Sequence, residues 1–572
     1  MSSKVSGLIA GHNKSARSTY YGSAALAFIA ILPYALFYAP VLYEDDWTST
    51  VWSAVNGNLH WVSWMHGRPL ELVPRLLIYA LFGLNIHIFY LILFTLNVLG
   101  AILLYLLGRR IVPSATAPSW IVAALFLVYP ADFTRTYLTM ISIKLVLCLA
   151  LLFAMLTLIY VEDGRPQALI ATLGSLFLSL GVYEGHLGLI LVWCLWILVV
   201  RRGNFRRRIV LFAGVTLVTL LFVFWRIVVA PRIGLGSQYI EQLEIAPSVI
   251  VDRLLFGLRI LVWGWTIPVG KVLQWPSTIG ALLVVAGMVV GSWMVAALAG
   301  YKPTKNQVEG PIALQGWTRT MKRIPLLFGG GVVLALAGYL PIVTVMEPNL
   351  TANASRVNLF ATLGASVMIA VFLWTGSAVT ARTQRNIDAL MISGAVPLLL
   401  LGMAIQAQIQ RDIRTAWNEQ QAIWHELFEV CPNFEDNTAI YFVLPGYQDR
   451  HGWANWQRTP LSSEWEVTSA LQVLYHKNSL HGDLIFSDLD RGYGAPEFTP
   501  RNIASYWTRE TTAFSQAVFV SYDGSPRHLR VIQDLRSDLQ LAWEPQGYAP
   551  MTRCLQGTSP RIELRRLVTA KD

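Results

Sequence analysis

Charge is what this chain has least of. Of its 572 residues, 14% are charged and 54% hydrophobic. Soluble domains carry about 25% charged residues, so a wholly soluble protein is excluded. The apolar excess ends near residue 408, which predicts a membrane domain over 1–408 and a soluble mixed α/β domain over 409–572. That second part has no GxGxxG, P-loop or GxSxG, no Cys/His metal spacing and no internal repeat. It carries no nucleotide, metal or nucleophile-elbow signature of its own. Cysteine is scarce as well. Cys148 and Cys194 fall in apolar spans and read as packing residues, while Cys431 and Cys554 flank the soluble part, either as two thiols or as a disulfide joining its ends. No small-residue cleavage site follows the first apolar stretch, about 24–42, which reads as a retained anchor.

What the chain has in abundance is apolar stretches, many of about the 20 residues that cross a bilayer. Eleven transmembrane helices are predicted, near 24–42, 86–107, 120–129, 138–160, 168–182, 187–200, 209–229, 279–298, 326–345, 357–379 and 389–405. The basic residues gather in alternate loops, at Arg109-Arg110, Arg165, 201–208, Lys302 to Arg323, and Arg382 with Arg385. This is the positive-inside pattern, so the net charge of +10 speaks for a lipid bilayer and not for nucleic acid. It predicts a plasma-membrane protein with its N-terminus cytoplasmic and residues 410–572 outside. In the soluble part, 412–428 reads as a helix, and 439–444 and 517–522 read as buried strands.

The stretch that needs a reason is Tyr43-Glu44-Asp45-Asp46-Trp47, followed by His66-Gly67-Arg68-Pro69-Leu70. Three consecutive carboxylates at a membrane edge are costly and point to function. Trp47, Trp52, Trp61 and Trp64 suit the headgroup level. Residues 43–85 form a first outer loop with interfacial helices, in which Glu71 and Arg75 are spaced to pair on one helical face. The other outer loops bring Asp132, Arg135, Glu184, His186 and Arg356 to the same side. Each has a plainer use, as a solvated loop residue, a polar turn or a snorkelling arginine. The adjacent Asp45 and Asp46 have none, because two carboxylates side by side repel.

An acidic pair just after the first span, a long first outer loop, a Gly-Arg-Pro element, an outer Asp132 and an outer C-terminal domain together resemble the GT-C class of polytopic membrane glycosyltransferases. The resemblance covers about 20–408. It implies transfer of a sugar from a polyprenyl-phosphate donor to a glycan, lipid or protein acceptor of the cell envelope, on the non-cytoplasmic side. Asp45 or Asp46 would take the proton of the acceptor hydroxyl, with Asp45 favoured as the first acidic residue of such motifs. Arg356, Arg68, Arg135 and Lys144 are the candidates to hold the departing lipid phosphate. Glu44, Asp132, Glu184 and His186 would bind substrate or support the others. No metal site is assigned, and magnesium or manganese at the acidic cluster is the alternative use of those oxygens. A transporter or flippase is the competing function. Its charges belong at the bilayer midplane between matched half-helices, a pattern this sequence lacks.

Overall fold

The computed structural model describes residues 2–35, 38, 40–56, 68–112, 115–201, 204–233, 243–273, 314–350, 352–380, 384–444, 459–486, 496–505, 511–524, 527–555 and 568. Among these, six helices are long and apolar enough to cross a membrane: Ile86–Ile111, Met140–Asp163, Phe205–Arg232, Ile324–Val343, Ala361–Thr380 and Asn386–Val430. Five shorter apolar helices accompany them: Thr19–Ala35, Val73–Phe82, Thr116–Val128, Pro166–Val182 and Leu187–Val199. The span expected at 279–298 lies outside the described residues, as do Trp61, Trp64, His66 and Gly67.

The bundle is apolar on its outside. Along Phe205–Phe224, Leu217, Leu220, Leu221 and Phe224 are each more than half exposed, a surface that only lipid would cover without cost. Inside, helices meet through small residues. A Cβ on Gly364 would stand 2.2 Å from the backbone of Ala335, and one on Gly338 2.5 Å from that of Ala361. The Leu314–Val343 and Ala361–Thr380 helices therefore touch backbone to backbone, as in membrane bundles.

The loops segregate by charge. At one end Glu162 takes Arg110 at 2.8 Å and also pairs with Arg201. Gly164, at φ 76°, caps the Met140–Asp163 helix there beside the Arg207 guanidinium. At the other end the loops carrying residues 43–52, 131–139, 183–186 and 355–360 come together.

The helix Gln384–Val430 runs on through the expected domain boundary. Its 47 residues make a rod of about 70 Å. It delivers the C-terminal domain and its four-stranded sheet of β1 (Ala439–Leu444), β2 (His481–Phe486), β3 (Ala517–Gly524) and β4 (Arg527–Val531), in the order β2-β1-β3-β4. Here β1 lies parallel to β2 and β3, and β4 closes the edge antiparallel. Both faces of β1 are buried, which is why it reads as an unbroken apolar run. Tyr441 stacks on Phe519 at 4.8 Å on one face. Phe442 meets Trp424 of the long helix on the other. Cys431 and Cys554 are disulfide-bonded, with Cα atoms 5.0 Å apart.

Candidate functional site

The chain leaves its first helix and turns at Glu44, which has φ 50°. A carboxylate residue held in left-handed backbone is strained, and such strain concentrates at working sites. A π-helix, Asp46–Trp52, begins directly after it. This too is a form frequently found at functional sites. The turn sends the two adjacent aspartates into different surroundings.

Asp46 is fully buried. Its Oδ1 accepts the Thr139 backbone N–H at 2.9 Å and its Oδ2 that of Tyr43 at 3.4 Å. Burial raises its carboxyl to about 7 against those backbone donors. Asp46 thus ties the first loop to the start of the Met140–Asp163 helix.

Asp45 keeps 23% of its side chain exposed. Its Oδ2 accepts from Arg356 Nη1 at 2.8 Å, and its Oδ1 from the Trp465 indole at 2.9 Å. Arg356 comes from the short helix Ala352–Asn358. Trp465 comes from the C-terminal domain, on the helix Glu464–Tyr475. That helix lies along the π-helix. Thr48 Oγ1 donates to the Trp465 carbonyl at 3.1 Å, Trp52 Nε1 to Gln472 at 2.6 Å, and the Glu44 N–H to Glu466 at 3.2 Å. Glu466 is buried, which raises its carboxyl to about 6, and it is held by Ser462 and Gln420.

Asp132, Arg135 and Lys144 form a second, buried group. Lys144 Nζ is 3.1 Å from Asp132 Oδ2 and Arg135 Nε is 3.6 Å from it. Burial alone would raise the Asp132 carboxyl. The two cations and the Thr134 hydroxyl outweigh it, so the carboxyl lies below its ordinary value. Arg135 also donates to the carbonyls of Phe126, Leu127 and Tyr129. Gln406 and Ser355 fix the backbone of this loop.

Arg68 and Glu184 form a third group. Arg68 Nε and Nη2 engage both Glu184 oxygens at 2.8 and 2.9 Å, Arg226 adds a contact at 3.1 Å, and Arg68 lies over the Tyr183 ring at 4.5 Å. Burial opposes ionisation of Glu184, but the two arginines win and bring it to about 2. Tyr183 stacks on Phe360, two residues past the Arg356 helix, which joins this group to the first. His186 is buried against Phe360 and Ser179. Burial lowers it to about 4, so it is neutral at pH 7.

The expected Glu71–Arg75 pair does not form. The helix starts at Val73, so Glu71 precedes it and turns to Arg68 at 3.2 Å. Arg75 donates instead to Ser49 Oγ at 2.9 Å. Sequence reasoning missed Trp465, Glu466 and Gln420. Ser463 and Glu466 have the spacing of a helix-start signature, which marks the helix but not its partner 420 residues away. Among the described residues no three His, Cys, Asp or Glu side chains gather as a metal site.

No family model matches the sequence, and no curated protein matches it. Among solved structures, the crystal structure of ArnT from Cupriavidus metallidurans bound to undecaprenyl phosphate is similar over 87% of this chain and 93% of that one, at 14% identity and a TM-score of 0.36. At that overlap no residue of one chain is equated with a residue of the other.

Proposed function

We propose that the chain is a membrane glycosyltransferase of the GT-C class. It moves a sugar from a polyprenyl-phosphate donor to a cell-envelope acceptor on the non-cytoplasmic side, with Asp45 as the base. The observation that carries this reading is the Asp45–Arg356 contact at 2.8 Å, partly exposed at the end of the bundle away from Glu162 and its arginines. A proton acceptor and a phosphate-binding cation are what the transfer needs side by side. The acceptor hydroxyl attacks the anomeric carbon and gives its proton to Asp45. The bond from that carbon to the phosphate oxygen breaks, and the electron pair leaves with the lipid phosphate. Arg356 balances the charge that collects there.

Asp46 supports the site from behind, because burial keeps it partly protonated at neutral pH. Asp132, Arg135 and Lys144 hold one loop, and Arg68, Glu184 and Arg226 another. His186 packs as a neutral ring between them. The positive-inside rule supports this sidedness, with the arginines around Glu162 read as the cytoplasmic end.

The test is purified full-length protein with a panel of polyprenyl-phosphate sugars. Transfer or donor hydrolysis is expected for the wild type and not for Asp45→Asn. Movement of donor across vesicles without any transfer would favour the transporter instead. Turnover is expected to survive chelator, because Arg356 and Trp465 already engage both Asp45 oxygens. Loss restored by magnesium or manganese would assign a cation to the acidic cluster.

A further inference from the structure

The strained turn at Glu44 is held from outside the first loop. Glu44 has φ 50°, and a non-glycine residue stays in left-handed backbone only where its surroundings over-determine it. Here the surroundings come from the C-terminal domain and the long helix Gln384–Val430. The Glu44 N–H donates to Glu466 Oε1 at 3.2 Å, and the same oxygen accepts the Gln420 amide at 2.7 Å. Gln420 in turn accepts from the Trp47 indole at 3.4 Å. Residues 44 and 47 bracket the two aspartates. One buried Glu–Gln pair therefore grips the loop on both sides of Asp45 and Asp46. Trp47 also packs against Trp417 and Trp424 of the long helix, and the Tyr43 hydroxyl donates to the Thr459 carbonyl at 2.9 Å.

Glu466 is fully buried, and its Oε2 takes the Ser462 backbone N–H and hydroxyl at 2.8 and 2.7 Å. Its partners among the described residues are neutral hydrogen-bond donors and not cations. For stability alone, an apolar side chain in such a place does as well as a buried ionisable one, or better. What Glu466 does that an apolar residue would not is hold the Glu44 N–H.

We infer that Glu466, backed by Gln420, is a positioning residue for the transfer: it locks the left-handed turn at Glu44 and so fixes where the Asp45 carboxylate points. The inference rests on the transfer reading above, with Asp45 as base. Arg356 and Trp465 set that carboxylate at its oxygens. Glu466 sets the backbone that carries it. Without Glu466, Glu44 relaxes toward ordinary backbone and the next side chain swings with it. A misplacement of about 1 Å can cost roughly a hundredfold in rate.

The experiment compares wild type, Glu466→Leu, Glu466→Gln and Gln420→Met as full-length protein in detergent. It measures kcat and donor KM per folded protein, and amide hydrogen exchange over residues 43–52. Glu466→Leu is expected to lose about tenfold or more in kcat, with donor KM within about twofold of wild type. Glu466→Gln keeps an oxygen for the Glu44 N–H and should recover most of that loss. Gln420→Met should show the same split at smaller size, and it decides the matter if Glu466→Leu does not fold. Exchange over 43–52 should quicken about tenfold or more in Glu466→Leu, while the Met140–Asp163 helix exchanges as in wild type. A purely structural glutamate gives a lower Tm with unchanged kcat per folded protein and unchanged exchange over 43–52, and that result overturns the inference. A rise in donor KM alone overturns it too, because it places the pair at the substrate and not behind the base. Wild type that transfers no sugar while the variants still loosen 43–52 removes the proposed reaction and leaves the clamp on the loop standing.

Discussion

Trp465 and Asp45 stand 420 residues apart in the chain, and the indole N–H of one donates to the carboxylate of the other at 2.9 Å. The C-terminal domain is therefore part of the candidate site and not an appendage to it. Its helix reaches the strained turn at Glu44 and the π-helix behind it through four hydrogen bonds, from Thr48, Trp52, Glu44 and Trp465. A carboxylate fixed at both oxygens presents one orientation to a substrate, which is what positioning for proton transfer requires.

Trp465→Phe removes that donor and keeps most of the ring. A hydrogen bond to a charged group is worth about 1.5–3 kcal/mol, or roughly 10- to 100-fold in rate. We expect kcat to fall by about tenfold or more, with donor KM little changed. Steady-state kinetics at varied donor concentration checks it. A rise in KM alone would place the indole against the substrate instead of the base.

Asp46 makes stability depend on pH. Its folded carboxyl titrates near 7, above the ordinary 3.8, and Glu466 titrates near 6, above 4.5. Between those limits the folded protein holds more protons than the unfolded chain, so stability falls as pH rises from about 4 to 7. Asp46→Asn keeps an acceptor for the Thr139 N–H and has no proton to lose. Tm measured from pH 5 to pH 8 should drop by several degrees in the wild type and distinctly less in the variant. Equal slopes would refute the role of Asp46.

Arg356 and Lys144 separate binding from folding. Arg356 is partly exposed, and Arg356→Ala should raise donor KM roughly tenfold with a small change in Tm. Lys144 is buried on Asp132 at 3.1 Å. Removing one partner of a buried pair costs about 3–5 kcal/mol, so Lys144→Met should lower Tm sharply. If Lys144→Met instead raises donor KM at unchanged Tm, the phosphate lies against the Asp132 group.

The Cys431–Cys554 bond closes a separation of 123 residues, and a loop of that size contributes about 4–5 kcal/mol in the chain-entropy account. Cys431→Ser with Cys554→Ser should lower the Tm of the C-terminal domain. It should also reduce transfer, since that domain holds Trp465. Peptide mapping without reductant should recover the linked pair, and two free thiols there would contradict the bond.

Much of this was legible beforehand. The helices Met140–Asp163, Leu187–Val199 and Ala361–Thr380 begin and end within about four residues of the apolar runs that announced them. Strand β1 matches its apolar run from Ala439 to Leu444. Glu71 with Arg75 misled, because spacing of four matters only inside a helix and this helix begins at Val73.

Sequence alone determined that the chain belongs to a bilayer, where several of its apolar helices run, and that Glu44, Asp45 and Asp46 needed an explanation. Those properties follow from the transfer energies of single side chains and from local periodicity, which are written residue by residue. Only the tertiary structure decided that Asp46 is buried while Asp45 stays open, that Lys144 and Arg135 belong to Asp132, that Arg75 turns to Ser49, and that Trp465 holds Asp45. Each of those depends on which distant segment fills the space beside a side chain, and no local pattern encodes it.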